Sequence, residues 1–463
     1  MSAELADAPD VSLVFSKYQH IVSNTDPIKF TGVVERVTGL LIESKGPQAV
    51  IGELCQILLP DREQGVWAEV VGLSKSLVQL MPFDDMEGIE VGCTVVATGG
   101  PLMIPVSDGL LGRVLDSMGR PIDDRGIAPA DDYRKANAVP PNVLKRRQIT
   151  ERIVTGVRAI DAMTPVGKGQ RLGIFSGSGV GKSTLLGMIA RNTSADVNVI
   201  ALIGERGREV REFIENDLGP EGLARSVIIV STSDTPPLAR LKGAYVATTI
   251  AEYFRDQGKD VMFLFDSVTR FARAQREIGL SVGEPPATRG YTPSVFSILP
   301  KLLERCGTSE KGTITGFYTI LVDGDDVDEP ISDNVRGILD GHLILSRRIA
   351  SANQYPAVDV LQSLSRLAPR VTGKEERRAC GIVRKLLATY TESEDLINVG
   401  AYVKGTNPGI DEAIDKIDSI RGFLAQGIDE SAEIADTIGR LAAISGVELE
   451  IGKALNEAVS VST

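Results

Sequence analysis

Cysteine and histidine are scarce in this 463-residue chain, and each shortage excludes something. The four cysteines, Cys55, Cys93, Cys306 and Cys380, stand far apart, so neither a disulfide framework nor a zinc knuckle is implied. Reduced, buried thiols are expected. His20 and His342 are the only histidines, too few and too distant for a histidine-based metal site. Long apolar runs are missing too: VNVIALI and VMFLF fall far below the about 18 residues that a membrane span needs. The opening MSAELADAPD lacks a basic stretch followed by an apolar core. A soluble, cytoplasmic protein is expected. Nor is there an excess of positive charge, since 50 Lys and Arg stand against 62 Asp and Glu, giving −12. No bulk field therefore draws the surface onto nucleic acid.

What the chain does contain is 43% apolar residues and a length that suggests two to three domains. Val11, Val14, Phe15, Tyr18, Ile21 and Val22 lie at helical spacing and predict a short amphipathic helix in a segment 1–24, before the break at Asp26-Pro27. Its apolar face can pack on its own chain or dock a partner. Over 25–100 the pattern turns to short β-rich runs punctuated by Gly and Pro, which predicts a small β-barrel. Over 101–372, strand runs such as RLGIFSG, VNVIALIGE, SVIIVSTS, VMFLFDS and GTITGFYTILV alternate with helical stretches, the mark of an α/β core with a parallel sheet. Over 373–463 helices take over, with Ala379, Val383, Leu386, Leu387 and Tyr390 on one face and Ala413, Ile414, Ile417, Ile420 and Leu424 on another.

The chemistry concentrates where RLGIF runs into Ser176, Gly177, Ser178, Gly179, Val180, Gly181, Lys182, Ser183 and Thr184, followed by the helical LLGMIARN. Strand, glycine loop and helix is the setting of a phosphate-binding loop, in which backbone N–H groups wrap a polyphosphate. Lys182 can reach the β- and γ-phosphates of ATP and Ser183 can hold Mg²⁺. The first motif glycine is replaced by Ser176, a small residue that still fits the turn. VMFLF delivers Asp266 to the same sheet edge, where a carboxylate suits a direct or second-sphere hold on Mg²⁺. VNVIALIG delivers Glu205, the candidate general base, with Arg206 or Arg270 to hold Glu205 or the phosphate in place. Arg208, Glu209 and Arg211 read instead as surface ion pairs.

SGSGVGKST, GERGREV, DSVTRFARAQREIGL and YPAVDVLQSLSR, in this order, resemble the family of rotary ATP synthase catalytic subunits and type III secretion ATPases. GLLIESKGPQAVIGELCQI, LLGRVLDSMGRPID and NVGAYVKGTNPGIDEAI are most similar to the flagellar export ATPases, and the likeness runs from about Thr31 to Gln426. The resemblance implies a RecA-like ATPase core behind a β-barrel that builds a homohexamer ring, and a helical domain facing an export gate. It implies that Lys182 and Ser183 serve the phosphate loop, Glu205 catalysis and Asp266 magnesium, and that Arg270 is an active-site arginine. Tyr355 falls on the adenine-packing aromatic and Arg366 on the arginine finger that enters the neighbouring subunit's site. Stalk or regulator proteins, chaperone–cargo complexes and association with the inner face of the cytoplasmic membrane are implied as well.

Three alternatives stay open on sequence: a virulence-type secretion ATPase, an ATP synthase catalytic subunit, and a ring-shaped RNA translocase. Against the last, the barrel segment Thr31–Gly100 holds only Trp67 and Phe83 as aromatics and more acids than bases. No specific nucleic acid is expected.

Overall fold

The computed structural model describes residues 29–60, 65–74, 76–322 and 329–449, so the helix expected over 11–22 lies outside the described residues. They form two compact units, the first ending at Pro101 and the second holding the rest together with Phe83–Asp85.

The first unit is a closed antiparallel barrel of six strands: Thr31–Thr38, Leu41–Lys45, Glu53–Leu58, Val66–Ser74, Leu77–Pro82 and Thr94–Pro101. Its interior follows from period-two alternation, as in ELCQIL, where Leu54 and Gln56 are half-buried while Cys55 and Ile57 are fully buried. Val34, Ile42, Ala68, Val70, Leu80 and Val95 are among the residues that share this core. The first and last strands pair, Val33 opposite Thr94, which leaves no open edge in the ring.

The second unit is built on a nine-stranded sheet. In spatial order its main path runs Val358–Ser365, Gly341–Leu345, Arg171–Ser176, Thr313–Leu321, Asp260–Asp266, Val197–Ile203, Ser226–Ser231 and Arg113–Leu115. Every pairing along it is parallel except the first, in which Val358–Ser365 runs antiparallel to Gly341–Leu345. VNVIALI is buried at all seven positions, as a parallel strand covered on both faces must be. Connecting helices, among them Lys182–Asn192, Pro237–Asp256 and Val268–Ser281, cover those faces.

From Lys374 on, the described chain is helical: Lys374–Asn398, Pro408–Leu424 and Ile434–Ser445. The faces foreseen from spacing do the packing, with Ala379, Val383, Ala413 and Ile420 all fully buried. Arg152 meets Glu376 at 2.7 Å with both side chains buried, and Arg158 hydrogen-bonds the Phe423 carbonyl at 3.0 Å, so these helices join the sheet's unit. The cysteines are free; Cys55, Cys93 and Cys306 are buried and Cys380 is half-buried.

Candidate functional site

Parallel strands end together, so side chains that follow them collect along one edge of the sheet. Ser176 ends the strand from which the phosphate loop starts, and Gly181, at φ 89°, caps helix Lys182–Asn192 without any side-chain cap bond. The first-turn N–H groups therefore face the loop with no side chain to satisfy them, an arrangement suited to anions. Gly179 also takes a positive φ, 78°. A side chain at Gly181 would come within 3.4 Å of the Tyr355 ring, so that ring lies over the start of the helix, 40% exposed.

Strand Thr313–Leu321 separates the phosphate-loop strand from the strand ending in Asp266. Lys182 spans that gap: its Nζ lies 2.5 Å from Asp266 Oδ1 and 3.4 Å from Glu205 Oε1. The intervening strand contributes Thr319, whose hydroxyl donates to Asp266 Oδ1 at 2.7 Å. Asp266 is 3% exposed. The helix after it is capped by Ser267, which accepts from the Arg270 N–H, so Asp266 is not used as a cap.

Glu205 follows Gly204, whose φ of 74° turns the chain out of the strand. Any Cβ there would strike Arg270 Cβ at 2.8 Å. Burial, then the charge of Asp266, push the Glu205 carboxyl up to about 7, against the pull of Lys182 and Arg270, and a hydrogen bond with Glu209 adds to the rise. Burial alone would lower Lys182, but the two carboxylates outweigh it and hold the ammonium above its ordinary value.

Of the two arginines considered on sequence, the structure brings in Arg270 and not Arg206. Arg206 Nη1 pairs with Glu209 at 3.2 Å and its side chain is 72% exposed, because it stands at the solvent-facing start of helix Gly207–Glu212. Arg270 is half-buried, and its Nε is a buried donor with no hydrogen-bond partner among the described residues. Arg208 and Arg211 pair with Glu212 and Glu215 on the surface. The Thr184 hydroxyl hydrogen-bonds the Asp217 carboxyl.

Arg366 lies elsewhere. Ser176 pairs with Leu345 and Leu345 with Val358 at the phosphate-loop edge, whereas Ser365 pairs with Gly341 at the far end. The strand bulges between Asp359 and Leu364, so its two ends are set apart by the four steps of Gly341–Leu345, roughly 13 Å at strand rise, with Arg366 beyond the end away from the loop. There its backbone N–H donates to the Asp340 carbonyl at 3.0 Å and its side chain is exposed.

Sequence reasoning missed Thr319 and the Glu209 contact to Glu205. The signal for the first was a lone aliphatic hydroxyl in the run FYTILV, for the second a carboxylate one helical turn beyond Glu205.

A phosphate loop at the edge of a parallel sheet, with a lysine between two strand-end carboxylates, defines a RecA-like P-loop nucleotide-binding protein. Family models match three stretches: the nucleotide-binding domain of the ATP synthase alpha/beta family over residues 156–365, its beta-barrel domain over 34–99, and the type III secretion EscN ATPase C-terminal domain over 372–443. The flagellum-specific ATP synthase of Treponema pallidum is 58% identical over 433 residues, covering 94% of this chain and 97% of the relative. The type 3 secretion system ATPase of Xanthomonas euvesicatoria is 51% identical, covering 89% and 94%. Among solved structures, the assembled ATPase EscN of enteropathogenic E. coli superposes with a TM-score of 0.85 at 46% identity, covering 89% of this chain and all of that one. The chain belongs to the family of flagellum-specific ATP synthases and type 3 secretion system ATPases.

Proposed function

We propose that this chain is the ATP hydrolase of a flagellar type III protein export apparatus, working as a ring of identical subunits. The observation that carries the chemistry is Lys182 held between Asp266 and Glu205 at the phosphate-loop edge. Lys182 and the helix N-terminus bind the β- and γ-phosphates, and Glu205 takes the proton of the attacking water. Arg270 offers its free donor to the phosphate or to Glu205. Tyr355 gives the base a flat apolar face beside the loop. Arg366, too distant for its own site, serves a neighbour's.

Mg²⁺ fits the residues present. Ser183 supplies a hydroxyl beside the loop and Asp266 a buried carboxylate whose Oδ1 alone takes both the Lys182 and Thr319 hydrogen bonds. Hard oxygen donors, few in number, suit an ion that keeps waters and phosphate oxygens as its remaining ligands. When bound, Mg²⁺ supplies charge stabilisation on the phosphates. Removing it with a chelator should abolish phosphate release from ATP by the purified chain, and excess Mg²⁺ should restore it. Chelator-resistant turnover would contradict the assignment.

The export setting is supported by the flagellar relatives. The solved complex of EscN with its central stalk EscO supports a stalk partner. No helix of the described residues is long and apolar enough to cross a membrane; peripheral association with its inner face is part of the same proposal.

The raised Glu205 carboxyl sets a pH dependence. A base works only when ionised, so turnover is full above its pKa and lost below it. The acid limb of kcat/KM for ATP should have an apparent pKa near 7. A limb near the ordinary glutamate value of about 4.3 would contradict this environment for the base.

A further inference from the structure

Beyond Glu205, helix Gly207–Glu212 passes into a π-helical turn, Phe213–Leu218, before the chain resumes as Gly219–Ala224. A π turn inserts a residue and changes which side chains meet a neighbouring element. Here it buries Phe213 and Leu218 in the core that also holds Leu185, Leu186, Met188 and Ile189 of the phosphate-loop helix. It also lays Asp217 directly on Gly187. A Cβ placed on Gly187 would stand 2.7 Å from both Cβ and the carbonyl oxygen of Asp217, a separation real side chains do not show.

Two polar contacts fasten the same spot. The Asp217 carboxyl takes its hydrogen bond from Thr184, and Arg191 Nη1 donates to the Asp217 carbonyl oxygen. Thr184, Gly187 and Arg191 stand at i, i+3 and i+7, on one face of the helix. Arg191 Nη2 donates to the Ile428 carbonyl at 2.6 Å, so the same side chain also holds the segment that follows helix Pro408–Leu424.

We propose that Arg191 and Asp217 are positioning residues for hydrolysis: by clamping the turn after Glu205 onto the phosphate-loop helix, they fix Glu205 against Lys182 while meeting the phosphate loop only at Thr184, its last residue. Glu205 is tethered on one side by a buried strand ending at Ile203. Its other side is held by the turn. With both ends held, the carboxylate keeps its place 3.4 Å from Lys182. The inference rests on Glu205 being the general base. Misplacing a catalytic group by about 1 Å can cost on the order of a hundredfold in rate.

Two variants attack the clamp by opposite means. Gly187→Ala inserts a wedge, removes no polar group and improves local helix propensity. Arg191→Met keeps an unbranched apolar stem and removes the guanidinium donors. For each, steady-state kinetics and amide hydrogen exchange of the stretch 203–218 are measured against wild type in the full chain. The expected result is a fall in kcat of about tenfold or more with KM for ATP within about twofold, together with faster exchange in that stretch. Wild-type kcat in either variant overturns the proposal, as does a fall in kcat with wild-type exchange over 203–218. Should Gly187→Ala fail to fold, Arg191→Met alone decides. Glu205→Gln separates the two layers. If it still hydrolyses ATP, the base assignment fails and the clamp as a catalytic device falls with it. If it is inactive and the clamp variants are wild type, only the clamp fails.

Discussion

Lys182→Ala and Glu205→Gln are both expected to abolish ATP turnover, by at least about a thousandfold, and to differ in binding. Lys182 is the positive charge between two carboxylates, with its Nζ 2.5 Å from Asp266. Deleting it does two things at once. The phosphates lose their ligand, and Asp266 and Glu205 are left facing each other uncompensated in a poorly solvated edge. Nucleotide affinity should fall steeply. Glu205→Gln keeps the shape of the side chain and removes only the proton acceptor, so a fluorescent ATP analogue should bind with near wild-type affinity while phosphate release stops. A loss of about a thousandfold corresponds to about 4 kcal/mol of transition-state stabilisation, within reach of a positioned base. A Glu205→Gln protein that hydrolyses ATP at wild-type rate would remove the base from the account.

Arg366→Ala is expected to be as inactive as Glu205→Gln although it leaves the subunit's own phosphate loop intact. Strand register places Arg366 beside Asp340, at the end of the sheet opposite Ser176. An exposed guanidinium there can stabilise charge on phosphate only in another molecule's site. Binding of the ATP analogue should survive, and the specific activity of the wild-type chain should rise with protein concentration as subunits assemble. Arg366→Ala should show no such rise at any concentration. Concentration-independent activity would mean that each chain carries a complete site.

Much of this arrangement was legible from the sequence because local chemistry dictates it. Period-two runs separated by Gly and Pro became the barrel, and apolar runs ending in Ser176, Glu205 and Asp266 became parallel strands that share one edge. The glycine loop required its context, and Gly179 and Gly181 hold the positive φ angles that a Cβ would resist. What stayed hidden depends on long-range pairing. Nothing local places Thr313–Leu321 between the phosphate-loop strand and the Asp266 strand, so although the hydroxyl of Thr319 stands out in its run, its partner Asp266 does not follow from sequence. Residue chemistry alone left Arg206 and Arg270 as alternatives, the family resemblance pointed to Arg270, and burial separates them. Arg270 passes under Gly204, whereas Arg206 points to solvent. The π turn at Phe213–Leu218 escaped for a related reason, since one residue of register within an otherwise helical stretch is set by its docking on Gly187.

The central claim is that hydrolysis takes place at a site shared between two copies of this chain, one giving Lys182, Asp266 and Glu205 and the other Arg366. The measurement that meets it most directly is phosphate release from rings reassembled from two inactive parents, Glu205→Gln and Arg366→Ala, after subunit exchange has been verified. Where an Arg366→Ala subunit offers its Glu205 to the Arg366 of a Glu205→Gln neighbour, the site is whole. At equal mixing about a quarter of interfaces are restored if sites act independently, so activity should rise above both parents toward that fraction and peak near equal proportions. Fully exchanged rings with no activity above either parent at any mixing ratio would contradict a site divided between neighbours.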